Sequence, residues 1–128
     1  MDQFKTLLAV KKMMSTNIFT ADSNVSIINV AEEMSSNKTD CILIVDGKTD
    51  VVGVITEGDI VRKIVAKGLN PSNILAKELM SGPIIEIKSD ESIFDAKKIM
   101  GQHNVHHLIV KEDGKLVGII AARDLVKS

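Results

Sequence analysis

Apolar residues follow two rhythms along this chain. Ile27, Val30, Ala31 and Met34, and again Ile93, Ala96 and Met100, fall three or four apart behind Ser26 and Ser92. That spacing lines one face of a helix behind a capping hydroxyl, and it predicts amphipathic helices over 26–34 and 92–100. The runs at 41–45, 51–55, 107–110 and 116–120 are rich in Ile, Val and Leu and read as strands. They are joined in pairs through Asp46-Gly47-Lys48 and Glu112-Asp113-Gly114, which predicts two hairpins. Short apolar runs at 18–20 and 84–87 predict two further strands, the second with an extended entry imposed by Pro83. The helical period resumes at 57–66, with Gly68 as its stop, and at 122–126. Residues 2–13, with Phe4, Leu7 and Leu8 on one stripe, predict an additional amphipathic helix.

The two halves repeat one another. Displaced by 66 residues, Met14, Ser15, Ile18, Ser23, Ser26, Ile27 and Met34 meet identical residues, seven of the 21 positions from 14 to 34. From Leu43 onward a displacement of 65 aligns Leu43-Ile44-Val45 with Leu108-Ile109-Val110, and Val52-Gly53 with Val117-Gly118. Eight of 20 positions from 43 to 62 are then identical. Unrelated residues would agree at roughly one position in seventeen, so the duplication is real. The repeated unit is strand, helix, strand, turn, strand, helix in about 60 residues, too small to bury a large core alone. Two copies packed sheet against sheet are the expected solution.

Composition narrows the function classes. Sixteen Lys and Arg against 17 Asp and Glu leave a net charge of −1, without the basic excess that nucleic acid or an anionic membrane would attract. No apolar run approaches a membrane span, and the beginning of the chain lacks a signal-type core, so the expected location is cytoplasmic. Cys41 is the single cysteine and reads as a reduced, structural thiol. With no Trp or Tyr and only three Phe, the core must be aliphatic.

Two further stretches carry a resemblance. Gly53-Val54-Ile55-Thr56-Glu57-Gly58-Asp59-Ile60-Val61 and Gly118-Ile119-Ile120-Ala121-Ala122-Arg123-Asp124-Leu125-Val126 are similar to the strand-to-helix motif of CBS-domain pairs, or Bateman modules. The Met-Ser start of each copy and the run from His107 to Val110 fit the same family. The resemblance implies an α+β fold of tandem CBS repeats, each a small three-stranded sheet with two helices, related by a pseudo-two-fold axis with clefts between them. It divides the chain into an N-terminal helix (1–13), a first repeat (14–68), a linker (69–79) and a second repeat (80–128). It also implies a regulatory ligand that contains adenosine, such as AMP, ADP, ATP or S-adenosylmethionine, and no other cofactor. Family members commonly pair two modules, so a homodimer acting on some regulated protein is expected.

Carried over by position, the resemblance assigns Thr56 and Asp59 to the ribose or phosphate of one site and Asp124 to the ribose of the other. Ile18, Phe19, Ile84 and Ile85 would flank adenine, with Ile55 and Ile120 leading into the two motifs. Thr56 and Asp59 also have the spacing of a capping box, which needs no ligand. Ala121 cannot cap with its side chain, yet Asp124 persists, and this favours a role for the aspartates beyond capping. Arg123 and Arg62 stand where they could meet phosphates, Arg62 with the alternative of pairing with Asp59 at i, i+3. His106 and His107 are adjacent on a predicted strand and face opposite sides, so a metal site is not expected. His107 is the histidine assigned to the second site. No nucleophile–base constellation, phosphate-binding glycine loop or metal cluster is present, and the chain is not expected to be an enzyme. The alternative to a nucleotide sensor is a ligand-free adaptor that dimerises and recruits a partner.

Overall fold

The computed structural model describes residues 7–47 and 50–126. It divides into two compact units, Phe19–Ile84 and a second made of Met1–Ile18 with Ile85–Ser128.

In the Phe19–Ile84 unit, β1 (Thr20–Asp22), β2 (Cys41–Asp46) and β3 (Asp50–Thr56) form a sheet in that order. β1 runs parallel to β2 through α1 (Ile27–Ser36), and β2 and β3 are antiparallel. Ser26 caps α1 by accepting a hydrogen bond from the Asn29 amide at 3.4 Å. After β3 the chain turns directly into α2 (Glu57–Ile60), continued by a π-helical turn at Val61–Val65. Gly68 adopts a φ of +65°, the left-handed conformation that ends such a segment. α3 (Ala76–Leu79) closes the unit and places Ala76 and Leu79 in a core with Ile27, Val30, Met34, Ile42, Ile44, Ile55 and Ile64. Each large aliphatic side chain buried there contributes about 1.5–3 kcal/mol.

The other unit repeats the plan with β4 (Glu86–Lys88), α4 (Ile93–His103), β5 (His107–Glu112), β6 (Lys115–Ala121) and α5 (Ala122–Val126). Ser92 and Asp95 make a reciprocal capping box at the start of α4. Val10, Ile87, Ile93, Ala96, Met100, Leu108, Val110 and Ile120 form its core. The predicted architecture of two three-stranded sheets with helices is what the chain adopts.

Three details differ from the sequence expectation. The first strand of each copy begins later, at Thr20 and Glu86, although the Phe19 and Ile85 carbonyls just before it already accept the Leu43 and Ile109 amides. The displacement between copies remains 66 through the second strand, since Thr20 pairs with Leu43 as Glu86 pairs with Ile109. Leu43 is therefore equivalent to Ile109, and the one-residue deletion lies in the hairpin, where Asp46 faces Asp50 but Glu112 faces Lys115. A one-residue slip moves every side chain to the opposite face of a strand, so the apparent identity of Leu43-Ile44-Val45 with Leu108-Ile109-Val110 was a coincidence of composition.

The third concerns the beginning of the chain. Residues 2–6 of the expected helix lie outside the described residues, and the described part forms a three-residue 3-10 turn at Val10–Lys12. This segment is the counterpart of α3. The amides of Val10 and Lys11 donate to the Glu91 and Ser89 carbonyls, as those of Ala76 and Lys77 donate to Val25 and Ser23. Each copy thus has a lead segment, 8–15 or 74–81, and each lead segment completes the core of the other copy's sheet.

Candidate functional site

The strand-to-helix junctions carry the polar chemistry expected of them. At the first, Asp59 is only 6% exposed and its Oδ2 accepts the Thr56 amide at 3.0 Å, while Thr56 Oγ1 accepts the Asp59 amide at 3.2 Å. The capping box read from the spacing is therefore present. Asp59 Oδ1 lies 3.5 Å from Lys63 Nζ and 3.9 Å from Arg62 Nη2. Arg62 is 72% exposed along its side chain and lies over Gly58, where an added Cβ would come 2.7 Å from Nη1. Lys63 is the better placed cation, because its ammonium also donates to the Leu79 carbonyl at 3.4 Å. It thereby links Asp59 to the end of α3. Lys63 was missed in sequence, although its i, i+4 separation from Asp59 is the signal that finds it.

The π-helical turn has a place in this arrangement. The Ala66 amide donates to the Val61 carbonyl, five residues back, and the extra residue lies within the segment that carries Arg62 and Lys63.

At the second junction Asp124 Oδ2 accepts the Ala121 amide at 3.0 Å. Half of the capping box thus survives without a hydroxyl at 121, since the aspartate needs only the backbone of the residue three before it. The persistence of Asp124 opposite Ala121 has a local structural cause and is not by itself a sign of ligand binding. Arg123 is exposed and Asp124 half-buried.

Across the first sheet Cys41 pairs with Thr56, and across the second His107 pairs with Ala121. Cys41 and His107 are equivalent, and each is the half-buried cross-strand neighbour of a motif's third strand. The twelve candidate residues fall six to each unit: Phe19, Ile55, Thr56, Asp59, Arg62 and Ile84 in one, Ile18, Ile85, His107, Ile120, Arg123 and Asp124 in the other. Ile55 and Ile120 are wholly buried in the two cores, so their side chains hold the motifs in place and are not available to a ligand. Phe19 and Ile85 pack at the edges of the same cores, whereas Ile18 and Ile84 are half-buried outside them. Among the described residues no three His, Cys, Asp or Glu side chains gather as a metal site would require. No helix among them is long and apolar enough to cross a membrane.

Duplicated three-stranded α+β units, each with an aspartate-bearing strand-to-helix junction, define a tandem-repeat α+β module. The CBS-domain family model matches residues 10–66 and 76–128, and the chain belongs to that family. The two matches begin 66 residues apart, each two residues into a lead segment. An uncharacterized protein of Methanopyrus kandleri is 30% identical over 94% of this chain, which spans 62% of that relative's length. A 17.7 kDa protein of Acidianus ambivalens is also 30% identical, over 93% of this chain and 71% of its own. Among solved structures, a hexameric CBS-CP12 protein from bloom-forming cyanobacteria superposes with a TM-score of 0.84 at 23% identity, covering 95% of this chain and 68% of that one. A CBS-domain protein of Burkholderia ambifaria, described as a candidate for signal transduction, gives 0.77 at 28% identity, covering 92% and 88%.

Proposed function

We propose that this chain is a ligand-responsive regulatory module that binds an adenosine-containing nucleotide, AMP, ADP, ATP or S-adenosylmethionine, and conveys its presence to a regulated protein in the cytoplasm. The observation that carries the reading is the state of Asp59. One oxygen of this nearly buried carboxylate is held by the Thr56 amide, which fixes its orientation, and the other lies close to two cationic side chains. A fixed carboxylate oxygen suits a ribose hydroxyl, and the neighbouring Arg62 and Lys63 suit phosphate. Asp124 is oriented in the same way by the Ala121 amide, with Arg123 beside it. Ile18 and Ile84, half-buried and outside the cores, remain the better candidates for contact with adenine.

Thermal unfolding followed by calorimetry or a dye tests this, as the chain has no Trp or Tyr. A nucleotide that binds only the folded protein adds RT ln(1 + [L]/Kd), about 2.7 kcal/mol at a hundredfold excess over Kd. If none of the four ligands raises the melting temperature, the sensor reading fails.

A second reading, a ligand-free adaptor that dimerises and recruits a partner, is supported by exposed apolar side chains. Val61 and Val65 are exposed on the π-helical continuation of α2, and Ile28 and Phe94 are exposed at equivalent positions of α1 and α4. Such side chains favour association between copies. Self-association is compatible with both readings, and only the absence of nucleotide binding selects the adaptor.

A further inference from the structure

A feature of the Phe19–Ile84 unit lies at the opposite end of its sheet from Thr56 and Asp59. A cavity of about 310 Å³ is lined by Ser23, Asn24, Asp46, Val52, Lys77 and Met80. That volume is at the lower end of the range for small-molecule sites. We propose that it is a second ligand site, specific for a small zwitterion of the free amino-acid type with an apolar side chain.

The duplication shows what is unusual here. In the other copy the equivalent serine, Ser89, donates its hydroxyl to Glu112 at 2.7 Å, so its buried polar group is satisfied within the protein. In this copy the serine is again buried, at 5% exposure, but the acidic position holds Asp46, one methylene shorter. Among the described residues the Ser23 hydroxyl has no hydrogen bond, and it borders the cavity. Among the described residues no buried polar side-chain atom lacks a partner, so this hydroxyl is open to solvent at the cavity, where a ligand atom can take the place of water.

The charges on the lining decide the class of ligand. Lys77 and Asp46 both border the cavity, and neither forms an ion pair among the described residues. A simple anion would meet the Asp46 carboxylate and a simple cation the Lys77 ammonium. A purely apolar molecule would leave the Ser23 hydroxyl unsatisfied. A zwitterion matches all three, with its carboxylate on Lys77 and Ser23, its ammonium on Asp46, and its side chain against Val52 and Met80. The lysine is positioned by its own backbone, whose amide donates to the Ser23 carbonyl at 3.0 Å.

The test is calorimetric titration of the full chain with leucine and methionine, beside N-acetyl-leucine, which lacks the ammonium, and leucinamide, which lacks the carboxylate. The expected result is saturable binding of a free amino acid and at least tenfold weaker binding of both blocked forms. Asp46→Glu should reduce binding at least tenfold without lowering the melting temperature, because the longer carboxylate would take the Ser23 hydroxyl as Glu112 takes that of Ser89. Lys77→Gln, at an exposed position, should weaken binding as much. Adenine-nucleotide titrations should be the same in both variants as in wild type, which separates this site from the one at Asp59. The inference is overturned if neither amino acid saturates the wild-type protein, if a blocked form binds as tightly, or if binding survives in either variant.

Discussion

The side chain of Met80 lies directly on Gly53, so that a Cβ added to the glycine would stand 2.5 Å from Sδ and 2.8 Å from the Met80 Cβ. Met14 covers Gly118 in the same way, and there the Ser15 carbonyl oxygen is also within 2.9 Å. Each lead segment therefore crosses the third strand of the opposite copy at its glycine, where no side chain could be accommodated.

Gly53→Ala and Gly118→Ala should each destabilise the fold by about 1–3 kcal/mol, because the obstructing atoms include groups close to the backbone and not only a flexible thioether. The loss should be at least as large at Gly118, where a carbonyl must move. Urea unfolding checks this, and a change below about 0.5 kcal/mol at both positions would contradict the close approach.

The two junctions differ by one hydroxyl, which makes their caps separately testable. Thr56→Ala should cost about 0.5–2 kcal/mol by removing the acceptor for the Asp59 amide. Ala121→Ser should stabilise the protein by up to about 1 kcal/mol, since it completes the box of which Asp124 already makes half. Melting curves of the two variants should move in opposite directions.

For nucleotide binding, Asp59→Ala and Asp124→Ala should each weaken affinity at their own site by about 1.5–3 kcal/mol, roughly ten- to a hundredfold. Asp59→Ala also breaks a capping box and leaves Lys63 and Arg62 without their carboxylate, so it should lower stability by about 1–2 kcal/mol. Asp59→Asn keeps an acceptor for the Thr56 amide and should bind weakly while melting closer to wild type. Titration calorimetry on all three variants distinguishes loss of a ligand contact from loss of structure.

Association between copies is expected to use the exposed apolar side chains of the helices. Light scattering should report a mass above that of one chain, and Val65→Glu or Phe94→Glu should shift it toward the monomer with little change in the unfolding of the isolated chain. A monomer mass for the wild type at high concentration would remove this interface.

Periodicity and capping chemistry are local, and so they were legible in the sequence. Ser26 and Ser92 start their helices, the apolar runs become the paired strands, and the Thr56-to-Asp59 spacing forms its box. The box at Thr56 and Asp59 is legible because an N-cap and its N3 residue are three positions apart whatever the rest of the chain does, whereas the assignment of Asp59 to a ligand rests on the family resemblance. Lys63 is equally local to Asp59, whereas the bond from the Ala121 amide to Asp124 leaves no mark in the sequence, because the backbone half of a capping box needs no particular side chain at its partner. The register of β2 against β5 was decided by pairing with β1 and β4, which a comparison of identities over a few Ile, Leu and Val residues cannot resolve. The placement of Met80 on Gly53 and Met14 on Gly118, and of Ser23 beside Asp46 at a cavity, depends on contacts between segments far apart in the chain. Such contacts arise only when a core closes, since it is the burial of Val10 and Ala76 in the opposite copies that brings the two lead segments to their glycines.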